Sequence, residues 1–378
     1  MTDEYPNTSP IELYKEKELE ERGASWLELF YDLAFVAGIA QLTYFLANYV
    51  ETMGQFAQFV FMTFVFYSVW RRVVINSNLF PNETLVSRFL VQGSLAFVLL
   101  ASIFVVSAFE GGYVGFALGI AGVKILSCLS LEYGYRRDVR FKNFDKSLHY
   151  GFSIAAGMWL ISAFLAFEYA LLVWLLASVL EIAAPQIKTE NEGIVRLNKN
   201  HMAERLGLFT MLVLGESLIV VALVNQLASI SSSSKTIFLF GILFVLLTAI
   251  WWLYFEVNEH YLKGKRFPSL LWVIEAHGFI TIGIMMIAAG AKALIDEVTG
   301  TSLLGELYIV TGLMLVVAAV TAIRYALGTS LTAMRINIAF VCSVPLILLV
   351  PISSLIFASV ISILFVVFVV YHVKHINV

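Results

Sequence analysis

GLFTMLVLGESLIVVAL, residues 207–223, reads as membrane-embedded helix except near its middle, where Glu216 stands. A carboxylate at that depth costs about 2.5 kcal/mol or more, so it must be neutralised, paired or turned toward water. Two consequences follow from this one stretch. The fold is that of a helical membrane protein, and a proton, a cation or a partner is engaged at Glu216.

The rest of the chain agrees with the first consequence. Hydrophobic residues make up 60% of the 378 and charged ones 13%, about half the charged share of a soluble domain. A formal net charge of −3 gives no reason to expect nucleic acid as a partner. Cys128 and Cys342, the only cysteines, both lie in apolar runs, which excludes a disulfide framework. The acidic start, residues 1–25, lacks the basic head and short apolar core of a cleavable signal and reads as a retained cytoplasmic tail.

Apolar runs near the ~20 residues that span a bilayer occur at 26–49, 54–74, 85–109, 113–131, 148–167 and 169–184. A second set follows at 203–227, 236–257, 270–291, 302–325, 336–350 and 352–373. The expectation is an all-α, polytopic protein of about twelve transmembrane helices. Alternate loops collect the cations: Arg71, Arg72 and Arg88, then Arg136 to Lys146, Lys188 to Arg205, Lys263 to Arg266, and Arg324 with Arg335. By the positive-inside bias these loops and both termini are cytoplasmic. On that side the acceptor patterns at Asn7 and Asn82 escape glycosylation. The weakest boundary is 167–169, where two spans meet almost without a loop; fusing them would move every later cation cluster outside, whereas a re-entrant pair would preserve the parity.

The polar connector divides the chain into a tail (1–25), helices one to six (26–184), a connector (185–202) and helices seven to twelve (203–378). The pattern L-x-L-F-x-x-L opens both halves, at Leu27 and at Leu206, as two parallel six-helix repeats of a transporter would. The tetraserine 231–234 reads as an outside connector.

Several polar residues fall within or beside the runs. Glu28 and Asp32 lie four apart on one face of the first helix, either as first-turn charges suited to the helix dipole or as a functional pair. Gln41 is deeper on the opposite face and reads as interhelical glue. Arg205 and Glu216, eleven positions apart, are separated by only about 20° around a helix, and His201 lies within about 60° of their line. The resulting polar stripe is expected to pack toward the first and fourth helices. Lys124, in the fourth run, is at comparable depth and is the counter-ion that would make Glu216 a structural pair. His149 and His277 begin their runs near the boundary. His201-x-x-Glu204 offers two metal ligands without a third nearby, so neither a metal site nor a cofactor is expected. Trp251 to Phe255 reads as an interfacial aromatic belt. No phosphate-cradling glycine loop or nucleophile elbow argues for an enzyme.

The segments WLELFYDLAFV (26–36), HMAERLGLFT (201–210), LGES (214–217) and WWLYF (251–255) resemble the bacterial low temperature requirement A (LtrA) family. Tyr31 and Ala34 stand where Phe and Val are common. The resemblance implies a polytopic protein of the bacterial inner membrane, associated by name with growth in the cold. It draws attention to Glu28, Asp32, His201, Glu204, Arg205 and Glu216. The leading expectation is a proton-coupled secondary transporter of a small solute, with Glu216 central and Lys124 or Arg205 compensating charge. The alternatives are a membrane sensor or scaffold, and an integral-membrane enzyme on lipid-linked substrates built around Glu28, Asp32 and His201.

Overall fold

The computed structural model describes residues 23–80, 84–137, 147–183, 197–227, 234–263, 270–297, 300–326 and 331–376. Most of the tail, residue 184, residues 185–196 of the connector, the acceptor sites at Asn7 and Asn82, and serines 231–233 lie outside these residues. Among the described residues the fold is all α-helical. The helices are α1 (Trp26–Tyr49), α2 (Met53–Leu79), α3 (Leu85–Ile103), α4 (Tyr113–Arg137), α5 (Ser147–Ser162) and α6 (Phe167–Ala183). They continue with α7 (Lys199–Leu227), α8 (Ser234–Lys263), α9 (Leu270–Asp296), α10 (Leu303–Ala326), α11 (Leu331–Ser343) and α12 (Ser354–Ile376).

Eight of these, α1 to α4, α8 to α10 and α12, are long and apolar enough to cross a membrane. Of the other four, helices α5 and α6 have 16 and 17 residues. Helix α7 has 29 residues, Glu216 is the single charged residue of its apolar stretch 206–223, and the side chains of residues 222–227 lie outside those described. Helix α11 stops at Ser343 and passes into a 3-10 turn, Val344–Leu349, because Pro345 supplies no N–H for another α-helical turn.

The surface confirms the apolar solvent. Trp26 (88% exposed), Phe30 and Leu33 on α1, Ile154 and Phe164 around α5, and Ile363 and Val367 on α12 all face outward, while ion pairs lie within. A water-soluble chain would invert this arrangement.

Local sequence accounts for the helix starts and contacts. Ser25 with Glu28, Thr52 with Gln55 and Thr84 with Ser87 form reciprocal caps that satisfy orphan N–H groups at the starts of α1, α2 and α3. Helix α3 ends at Ile103 rather than continuing to 109; the chain turns through 104–111, where Gly111 adopts a φ of 122°. Small residues then let backbones meet. A Cβ on Gly119 of α4 would lie 2.6 Å from the Ala101 nitrogen of α3. On α9, Gly283 and Gly290 face Gly312 and Gly305 of α10, an antiparallel order in which added Cβ atoms would stand 2.6–3.0 Å from the opposing carbonyl oxygens.

The doubtful boundary near 167 resolves into two helices. Trp159 of α5 stacks on Trp174 of α6 with ring centroids 5.2 Å apart, and the Trp174 indole N–H donates to Ser162 Oγ at 2.8 Å. The direction of α7 agrees, since it runs parallel to α1, as six reversals of direction require and five forbid. Contacts between Asn78 and Asn198, Phe80 and Tyr135, Glu132 and His149, and Arg71 and Glu275 gather the ends of α2, α4, α5, α7 and α9 on one side.

Candidate functional site

The polar residues of α1 and α7 meet along a single line. His201 faces Glu28, Arg205 faces Asp32 and Glu216 faces Thr43, each pair 173 residues apart, so the two helices run in parallel register. The opening motifs are 179 residues apart, and the contact register is therefore not the one they suggest.

At the N-terminal end of α1 these residues form a closed knot. Asp32 accepts from Arg205 Nη2 at 2.6 Å and Nε at 2.9 Å, a bidentate fork, while the Trp70 indole N–H of α2 donates to Oδ1 at 2.8 Å. Trp70 is held in turn by stacking on Phe209, with centroids 4.1 Å apart. Glu28 closes the cap of α1, accepting from the Ser25 N–H at 2.7 Å, and lies 3.3 Å from His201 Nε2 and 3.6 Å from Arg205 Nη1. Asp32 and Arg205 are 0% exposed, Glu28 and His201 1%. Glu204, by contrast, is exposed and turns away from the stripe to accept the Ala24 N–H at 2.9 Å, tying α7 to the chain entering α1.

Hydrogen bonding fixes the His201 tautomer. Asn78 Oδ1 accepts the Asn198 N–H at 2.8 Å, which orients the amide so that Nδ2 donates to Asn198 O at 2.9 Å and faces His201 Nδ1 at 3.1 Å. His201 Nδ1 is thus an acceptor and the ring proton sits on Nε2, directed at Glu28. The knot brings one histidine, one guanidinium and two carboxylates together, with the carboxylates at the end of α1 where the positive end of the helix dipole favours them.

Above the knot the α1/α7 seam is apolar, with Phe35, Ile39, Phe209 and Val213 all buried. Eleven residues beyond Asp32, roughly 16 Å along the helix, Glu216 Oε2 accepts from Thr43 Oγ1 at 3.4 Å. Glu216 is 5% exposed, and among the described residues Thr43 is its only hydrogen-bond partner.

Three expectations are corrected. Lys124 does not neutralise Glu216; its Nζ lies 2.6 and 2.7 Å from the two carboxylate oxygens of Glu181 on α6, in a buried pair near the Trp159 ring. The stripe of α7 packs on α1 and α2, not on α4. Gln41 is not glue between helices of this chain, because it is exposed on the outer face of α1. His277 is placed apart from the α1/α7 seam. It is buried rather than exposed, with Nδ1 donating to Val273 O at 2.6 Å and Nε2 accepting from the Tyr254 hydroxyl at 2.9 Å.

Sequence reasoning missed Trp70, Asn78, Thr43 and Glu181. Serine 25 with Glu28 has the S-x-x-E spacing of a capping box, and Glu181 is an acid in an apolar run. Both were detectable signals. Nothing in the sequence marked Trp70 or Asn78.

Comparison with known proteins gives a relative and a family. An uncharacterized protein of Rhizobium meliloti (strain 1021) is 22% identical over 285 residues, covering 73% of this chain and 69% of that protein. The family model described as bacterial low temperature requirement A protein (LtrA) matches residues 23–373, nearly the whole chain. The chain therefore belongs to the LtrA family, as a multi-pass membrane protein.

Proposed function

We propose that the protein is a proton-coupled secondary transporter of a small solute, with Glu216 as the proton-carrying group. One observation carries the reading: Glu216 is buried within the helices, its one hydrogen-bond partner among the described residues is a hydroxyl, and its two candidate counter-ions are held elsewhere, Lys124 by Glu181 and Arg205 by Asp32. A carboxyl in that setting carries a proton or a bound cation, and exchange between the two is the chemistry that coupled transport uses. The knot of Glu28, Asp32, His201 and Arg205 is the fixed clasp below it, joining α1, α2 and α7. All twelve helices cross the inner membrane in this reading, with both termini cytoplasmic.

The closed knot supports a second reading, a non-transporting scaffold or sensor. A shared test separates them. Glu216→Gln reproduces the neutral acid in shape, so a transporter accumulates in the membrane at near wild-type level and loses growth at low temperature. A scaffold keeps both. Cysteines introduced by Asn191→Cys and Ser232→Cys test the orientation: external reagent labels the second and spares the first. The reverse pattern overturns the orientation.

A further inference from the structure

We infer that α2, α4 and α5 form a second site, on the side where their charged ends gather, which binds an oxyanion through Arg72. The inference is independent of the role of Glu216. Arg72 Nη2 points to Cys128 Sγ on α4 at 2.7 Å, and its guanidinium carbon lies 4.0 Å over the Phe152 ring of α5. Its Nε and Nη1 are buried without a hydrogen-bond partner, and no described carboxylate pairs with it. The neighbouring cations are already taken, Arg71 by Glu275 and Lys124 by Glu181.

One turn further along α2, Asn76 Nδ2 donates to Ser127 O at 3.4 Å, leaving the Ser127 hydroxyl buried and unpartnered. Two guanidinium nitrogens, the Ser127 hydroxyl and the Asn76 side-chain oxygen are thus buried here without partners. A buried polar group without a partner signals a missing water or ion. A water could meet the Asn76 oxygen but would leave the guanidinium charge uncompensated. An oxyanion meets the donors and the charge, and the planar guanidinium is the side chain best matched to phosphate or carboxylate oxygens.

The depth fits two sources of such an anion. Arg72 is seven residues before the last residue of α2, Leu79, so roughly 10 Å below that helix end. At this level the phosphate of an anionic lipid can reach the fork from the headgroup region, and a small water-borne anion can reach it from solution.

The two cysteines provide the assay, since Cys128 lies at the site and the exposed Cys342 serves as an internal control. The full-length protein is placed in phosphatidylcholine nanodiscs, and iodoacetamide modification of both cysteines is followed by peptide mass spectrometry. One arm titrates inorganic phosphate against chloride at matched ionic strength. The other replaces phosphatidylcholine with phosphatidylglycerol, without phosphate.

We expect one source to slow Cys128 relative to Cys342, by about threefold at twice the dissociation constant if occupancy alone protects. The arm that responds identifies the source. Arg72→Gln abolishes the protection, and Arg72→Lys, which keeps the charge and loses the fork, weakens it. If Cys128 proves unreactive or Arg72→Gln does not accumulate, the anion-dependent rise in unfolding temperature of the wild type against Arg72→Lys makes the same comparison. The inference is overturned if neither source changes Cys128 reactivity or unfolding temperature, or if the Arg72 variants respond as the wild type does.

Discussion

Asp32→Asn tests the clasp between α1 and α7. The wild-type carboxylate meets three donors, Arg205 Nε at 2.9 Å, Arg205 Nη2 at 2.6 Å and Trp70 Nε1 at 2.8 Å, in a site with no solvent exposure. An asparagine keeps one acceptor oxygen and turns an N–H₂ group toward one of those donors, while Arg205 keeps its charge. Removing one partner of a buried pair in this way costs about 3–5 kcal/mol, a hundredfold or more in the folding equilibrium. Glu28→Gln costs less, because Glu28 stands 3.6 Å from Arg205 and its cap to Ser25 survives as a neutral bond. The double variant Asp32→Leu with Arg205→Met removes both charges and leaves mainly the Trp70 N–H unsatisfied, about 1–3 kcal/mol. It is therefore more stable than Asp32→Asn alone. Unfolding in mixed micelles, followed by tryptophan fluorescence, measures all three. A cost below about 1 kcal/mol for Asp32→Asn, or a double variant as unstable as the sum of its single changes, refutes the reasoning.

Two further outcomes are expected. Lys124→Met strands the Glu181 carboxylate and lowers membrane abundance; Lys124→Met with Glu181→Leu restores it, while Glu216→Gln in place of the Glu181 change does not, as quantitative immunoblotting of membranes will report. Gly283→Leu and Gly312→Leu force α9 and α10 apart, because even a Cβ at either position would stand within 2.7 Å of the facing carbonyl oxygen, and both lower the unfolding temperature. Gly157→Ala and Gly241→Ala, whose Cβ atoms meet nothing within 4 Å, leave it unchanged or raise it.

The sequence reveals the helices far better than their partners. The run read at 26–49 coincides with α1, because an apolar stretch preceded by Ser25 and containing Glu28 states both its length and its start. Helix α3 stops short of its apolar run since Gly111 and the turn before it carry no hydropathy signal. Helix α7 begins before its apolar body, at Lys199, where His201 and Arg205 are buried against Glu28 and Asp32 of α1. Arg205 and Glu216 share the face that α7 turns to α1, as the pitch of a helix alone requires. The choice of Lys124 as partner for Glu216 needed knowledge of which helices touch, and there periodicity is silent. Comparable depth favoured Lys124, whereas the α4/α6 neighbourhood supplied Glu181 instead. Gln41 and His277 exchanged environments for the same reason, one facing outward and the other buried beside Tyr254.

The central claim is that Glu216 carries an exchangeable proton within the membrane, and infrared spectroscopy of the purified protein addresses it most directly. The difference spectrum between wild type and Glu216→Gln should contain the C=O stretch of a protonated carboxyl, shifted on transfer to heavy water, and Thr43→Val should displace that band by removing the hydroxyl 3.4 Å away. A difference spectrum containing only the paired bands of an ionised carboxylate, unmoved by Thr43→Val, would contradict the account.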